Sequence, residues 1–145
     1  HTPMMREAEA VFAGAIAAET IGPPVCGFLS ATTTEYLAEP GGIRRSLVTQ
    51  LTRPVLYEPT VRRLLRDGCR LLLEVGPNDV LTRLNREIVG DEALCLSLDV
   101  PGREFSDRIA LVEAALECLQ GNRASASPVA AERTVMRPPA ASTRK

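Results

Sequence analysis

Apolar and polar positions along this chain follow two spacings, and the sharpest change between them falls near the middle. Cys69-Arg70-Leu71-Leu72-Leu73-Glu74-Val75 is a short, nearly continuous apolar run of strand length, whereas Val80, Leu81, Leu84 and Ile88 recur at helical spacing. The pattern predicts strand, tight turn, helix. Gly76 accepts backbone angles closed to other residues, and Pro77 carries a preset φ suited to a first helical position, so the reversal is expected at that pair. A strand apolar on both faces is expected inside a parallel sheet. In open α/β sheets ligands bind beyond the carboxyl ends of the strands, which directs attention to the turn over 76–79.

The remaining elements follow from the same reasoning. Thr2-Pro3 supplies an N-cap residue and a proline at the first helical position, and Ala8, Val11, Phe12, Ala15 and Ile16 share one face, predicting a helix over 3–18. Gly22-Pro23-Pro24 ends it, after which residues 25–30 read as a strand and 31–42 as a surface loop. Ile43, Leu47, Val48 and Leu51 predict a helix over 43–51. Pro59 requires the next helix to begin close to it; Val61, Leu64 and Leu65 give that helix its apolar face. It is expected to stop at Asp67-Gly68, with Gly68 at C′ and Arg62, Arg63 and Arg66 near the negative end of the dipole. A second strand over 93–100 and a helix over 105–119, buried through Ile109, Val112, Leu116 and Leu119, complete the folded part at Gly121. The pattern is that of an α/β segment over 1–121, a mostly parallel sheet with flanking helices. Over 122–145 the composition shifts to Ala, Ser, Pro and Arg, with five basic residues against one acid, and this stretch is expected to be a disordered linker or tail.

Composition narrows the function classes. The 145 residues suit one core, and with aromatics at 3% that core must be filled by Leu, Val, Ile and Ala. A net charge of −1 gives no electrostatic footprint for nucleic acid, and no apolar run has the length of a membrane span. The start at His1 has neither a basic n-region nor an apolar signal core, so a cytoplasmic location is expected, and a start without Met suggests a fragment or processed piece. Cys26, Cys69, Cys95 and Cys118 are widely spaced inside apolar segments, with one histidine in the chain, so reduced core thiols are expected rather than a metal site or a disulfide framework.

The stretch Leu73-Glu74-Val75-Gly76-Pro77 admits two readings. A strand ending in an acid, followed by glycine, resembles the turn of methyltransferases that use S-adenosylmethionine, and Asp99 suits a ribose-binding acid. Asn78 and Val80, however, stand where further glycines are needed for the backbone to approach a ligand. More of the chain supports the other reading. The segment from Ile43 through Gln50, Leu51, Thr52, Arg53 and Pro54 to Tyr57, then Val61 and Gly68, then Leu73 to Pro77 and Val80-Leu81-Thr82, resembles the C-terminal part of malonyl-CoA:acyl carrier protein transacylases. That family includes the acyltransferase domains of modular polyketide synthases. His1-Thr2-Pro3-Met4-Met5 resembles the segment that opens with the family's catalytic histidine, and the likeness covers about 1–119.

The resemblance implies the C-terminal part of an α/β-hydrolase-like large subdomain. It also implies transfer of malonyl or a related acyl group from coenzyme A to the phosphopantetheine thiol of acyl carrier protein, in fatty acid or polyketide biosynthesis, with no bound cofactor or metal. His1 would be the general base and acid, and Gln50 would orient it through a backbone carbonyl. The local sequence agrees with the base role, since His1 precedes the positive end of the first helix, where a cation is disfavoured and the neutral, proton-accepting ring is favoured. The Gly76-Pro77 turn is expected near the rim of the site. One departure is decisive: the chain contains no G-x-S-x-G, and Ser30, Ser46, Ser97 and Ser106 all lack the elbow. The nucleophile is therefore expected in a missing N-terminal half of the same domain, and these residues alone are expected to be inactive. A non-catalytic carrier-protein interaction module is the alternative.

Overall fold

The computed structural model describes residues 1–125. These divide into two compact units, one formed by His1–Thr60 and the other beginning at Val61.

In the first unit a 3-10 turn, Pro3–Met5, leads into α1 (Arg6–Ala18), and α2 spans Pro40–Thr49. Thr2 holds the extended N-cap conformation, but its side chain makes no capping bond; Pro3 follows at the first position, where a missing N–H costs nothing. α1 ends at Ala18 with Glu19 extended at its C-cap, ahead of the prolines at 23 and 24, and residues 25–30 form no strand. Their only ladder contact is an isolated antiparallel bridge between Leu29 and Tyr36. Apolar content alone did not make a strand there, because a strand needs a neighbour to pair with and Gly27 weakens the run. α2 starts earlier than the apolar spacing implied, with Pro40 in its first turn in place of a surface loop up to residue 42. Ile43 is buried, and Arg44 donates from α2 to carbonyls at the end of α1, that of Ile16, which also accepts the Glu19 N–H, and, at 2.9 Å, that of Glu19. α3 (Tyr57–Arg66) follows with Pro59 in its first turn.

The second unit is a two-stranded parallel sheet with two helices against it. β1 (Leu71–Pro77) pairs with β2 (Leu94–Asp99) in the register Leu71 with Leu94 to Glu74 with Ser97, and an extra residue on β1 bulges the ladder before Pro77 meets Asp99. α4 (Val80–Val89) packs on both strands, and α5 (Phe105–Ser125) packs on β2. The backbone of α5 continues past Gly121 to Ser125; the rest of the 122–145 segment lies outside the described residues. Arg108 fastens α5 to β2 by donating through Nε (2.8 Å) and Nη2 (2.6 Å) to the carbonyl of Ser97.

Which faces are covered differs from the sequence expectation. Leu72, Cys95, Leu96, Val89 and Val112 form the core, but β1 is apolar on an uncovered face as well: Leu73 is 37% exposed and Val75 77%. On α4 the buried positions are Thr82, Asn85 and Val89, while Val80, Leu81 and Leu84 are exposed; on α5 Leu116 is exposed. The sheet has two strands among the described residues and gives those apolar stripes nothing to pack on. No disulfide joins the cysteines, and only Cys95 is buried, with Cys26 and Cys118 exposed rather than in a core. Burial pushes the Cys95 thiol up, with Arg86 opposing.

The end of α3 forms as the sequence implies. Gly68 has φ +93°, its N–H donates to Leu65 at 3.0 Å, and the N–H of Cys69 donates to Leu64 at 2.9 Å, the pair of bonds of a Schellman cap. Because a side chain at this φ strains the backbone, Gly68→Ala is expected to cost about 1–2 kcal/mol. A lowered urea midpoint with an unchanged slope would register it.

Candidate active site

The structure brings His1 and Gln50 together. Gln50 is the C-cap of α2, and its N–H is bonded to Ser46. Carbonyls at a helix C-terminus lack intrahelical partners and carry the negative end of the dipole, so they are open to an external donor. The carbonyl of Gln50 lies 2.6 Å from Nδ1 of His1. A carbonyl oxygen only accepts, so Nδ1 carries a proton, and in the neutral ring the free lone pair is then on Nε2. The adjacent Leu51 carbonyl accepts the N–H of Thr2 at 3.1 Å. One residue further, the Thr52 hydroxyl donates to the carboxylate of Glu9 on α1. Sequence reasoning missed this last contact, whose partners stand 43 residues apart with no motif between them. His1 itself is exposed to solvent.

The serines of the first unit are occupied with one another. Ser30 is buried, with its hydroxyl 2.8 Å from that of Ser46 and 3.0 Å from that of Thr32.

In the second unit the Gly76-Pro77 stretch has a different construction from the one expected. Gly76 is not in the left-handed region and Pro77 is still in the strand; the chain reverses at Asn78, with φ +71°, a conformation that asparagine tolerates better than most residues. Ser97 donates to the Asn78 carbonyl at 2.6 Å and holds the turn from beneath. Asp79 sits at the N-cap of α4 but makes no capping bond. Glu74 supplies the cap instead: its carboxylate accepts the N–H of Leu81 (3.1 Å), the N–H of Thr82 (2.7 Å) and the hydroxyl of Thr82 (2.7 Å). Partial burial pushes this carboxyl up, but the hydroxyl and amide of Thr82, the amide of Leu81 and the charge of Arg83 outweigh it and hold the carboxyl below its ordinary value. The acid of β1 is therefore engaged in ordering α4.

The fold is that of the malonyl transacylases. A malonyl-transacylase solved in complex with its type II polyketide synthase acyl carrier protein superposes with a TM-score of 0.67 at 26% identity, covering 79% of this chain and 35% of that one. Among curated proteins, the chain is 35% identical over 91 residues to the malonyl CoA-acyl carrier protein transacylase of Haemophilus influenzae, covering 63% of this chain and 29% of that protein. It is also 35% identical over 94 residues to the polyketide biosynthesis protein ThaF of Burkholderia thailandensis, covering 64% of this chain and 8% of that protein. No family model matches the chain. The chain is thus similar to a malonyl CoA-acyl carrier protein transacylase and to a polyketide biosynthesis protein, and it spans less than a third of the length of these two relatives.

Proposed function

We propose that this chain is the C-terminal portion of an acyltransferase domain that moves malonyl or a related acyl group from coenzyme A to the phosphopantetheine thiol of acyl carrier protein. The observation that carries the proposal is the bond from His1 Nδ1 to the Gln50 carbonyl, which supports Nε2 of the neutral ring as the proton acceptor. In the proposed reaction Nε2 takes the proton of a serine hydroxyl, and the serine oxygen attacks the thioester carbonyl. The coenzyme A thiolate leaves with that proton, giving an acyl-serine. The carrier's thiol then gives its proton to Nε2, attacks the ester, and the serine oxygen recovers the proton. Gln50 serves as the orienting group, with a helix-end carbonyl in the place that a carboxylate takes in a triad.

The serine belongs to a segment outside these residues, since no G-x-S-x-G is present and Ser30 and Ser46 bond to each other. The exposed Leu73 and Val75 on a two-stranded sheet support the same view, because so small a sheet is marginal unless further strands or helices cover it. The test is direct. Incubated with malonyl-CoA, the 145-residue chain is expected to gain no malonyl mass, whereas a polypeptide that also supplies the elbow serine is expected to gain it and pass it to holo-acyl carrier protein. A malonyl-serine on the chain alone contradicts the assignment of the nucleophile; saturable binding of the carrier protein by a polypeptide that never transfers an acyl group favours the interaction-module alternative.

A further inference from the structure

We infer that Glu9 and Thr52 form a positioning pair that holds His1 in register with the Gln50 carbonyl; the inference rests on the reading of His1 as the general base. Three consecutive residues after α2 each grip the N-terminal arm: the Gln50 carbonyl takes His1 Nδ1 at 2.6 Å, the Leu51 carbonyl takes Thr2 N–H at 3.1 Å, and the Thr52 hydroxyl donates to Glu9. The first two contacts lie on exposed residues of the arm. The third differs in kind. Glu9 is the first residue of the chain that is partly buried, and it belongs to the rigid body of α1, which the 3-10 turn and the Met5 to Thr2 bond (3.0 Å) connect to the arm.

Arg44 fixes the far end of α1 through the carbonyls of Ile16 and Glu19. Apolar packing of α1 on α2 is non-directional and leaves small rotations open, and such a rotation carried along about 10 Å of helix and turn from Glu9 to Thr2 suffices to break a bond at His1. The Thr52 contact removes this freedom. Its donor is itself placed by the turn that ends α2, where the N–H groups of Thr52 (3.2 Å) and Arg53 (3.1 Å) both bond to the Thr49 carbonyl. The helix dipole does not account for the arrangement, because Glu7 shares that field in the first turn yet remains exposed, while Glu9 is turned onto Thr52.

Because the chain has one histidine, its imidazole nitrogens give a single set of resonances, and long-range proton–nitrogen correlation in the nitrogen-15-labelled full chain reads the tautomer without any assay of activity. The wild type is expected to carry its proton on Nδ1. Thr52→Val and Glu9→Ala are expected to lose that signature in favour of the Nε2–H form that a free imidazole prefers, while Glu9→Gln, whose amide oxygen still accepts from Thr52, retains it. If Thr52→Val and Glu9→Ala keep the amide spectrum of the folded chain and also keep the Nδ1–H signature, the pair has no positioning role, and the reading of His1 as base stands unaffected. A wild type already in the Nε2–H form overturns the base geometry, and the pair with it. Should Glu9→Ala unfold α1, the contrast between Thr52→Val and Thr52→Ser decides alone.

Discussion

Replacing His1 with alanine, in a polypeptide that also supplies the serine, is expected to slow malonyl transfer to holo-acyl carrier protein by about 10²–10⁴-fold, the range that a positioned general base contributes. The loss is expected in kcat with little change in KM for malonyl-CoA, because the proton transfer is made in the transition state and not on substrate binding. In the proposed reaction both half-reactions use the same Nε2, so acylation of the serine and deacylation by the carrier thiol are expected to fall together. Steady-state transfer kinetics with a pre-steady-state acylation measurement separate the two. A variant that retains the wild-type fold and loses less than about tenfold activity assigns the base elsewhere.

The second large effect concerns Glu74. Its carboxylate accepts bonds from two amides and one hydroxyl at the start of α4, and Thr82 is 2% exposed, so water cannot readily replace the lost acceptor. Glu74→Ala is expected to cost about 1.5–3 kcal/mol, the worth of hydrogen bonds to a charged group. The loss stays within that range because the Thr82 hydroxyl can turn fully to the Leu96 carbonyl, 3.1 Å away. The pH dependence has a definite sign. The folded carboxyl lies below the ordinary glutamate value of 4.5, so its contribution is complete above that value and is lost as the pH falls through the folded one. Urea midpoints measured from neutrality into acid are therefore expected to converge for wild type and Glu74→Ala. Curves that stay parallel to the lowest pH contradict the capping role.

Several of these features were legible in the chain and others were not, for physical reasons. The helices and both strands of the second unit follow from local spacing, and the Gly68 cap follows from a local steric rule. His1 and Gln50 were singled out by resemblance, not by spacing, since nothing local connects a first residue to a helix-end carbonyl. The stretch 25–30 was misread because strand formation depends on a partner, and there the backbone finds only a single bridge, flanked by bonds to Glu35 and Leu37, among the described residues. The capping role of Glu74 was not legible because its donors, seven and eight residues on, come within reach only after the bulge in β1 and the turn at Asn78 are known. The inward face of α4 was not legible for a related reason. Periodicity identifies an apolar face but not which of two surfaces covers it, and here Thr82 and Asn85 lie inward because Glu74 and the β2 carbonyls draw Thr82 to the sheet.

The claim that these residues complete a Ser–His acyltransferase is tested most directly by reading the coding frame upstream of His1. The account predicts an in-frame G-H-S-x-G elbow there, which provides the hydroxyl that Nε2 of His1 deprotonates. A start codon immediately before His1 with no elbow encoded in the frame contradicts it, and would leave His1 and Gln50 as a hydrogen-bonded pair with no nucleophile to serve.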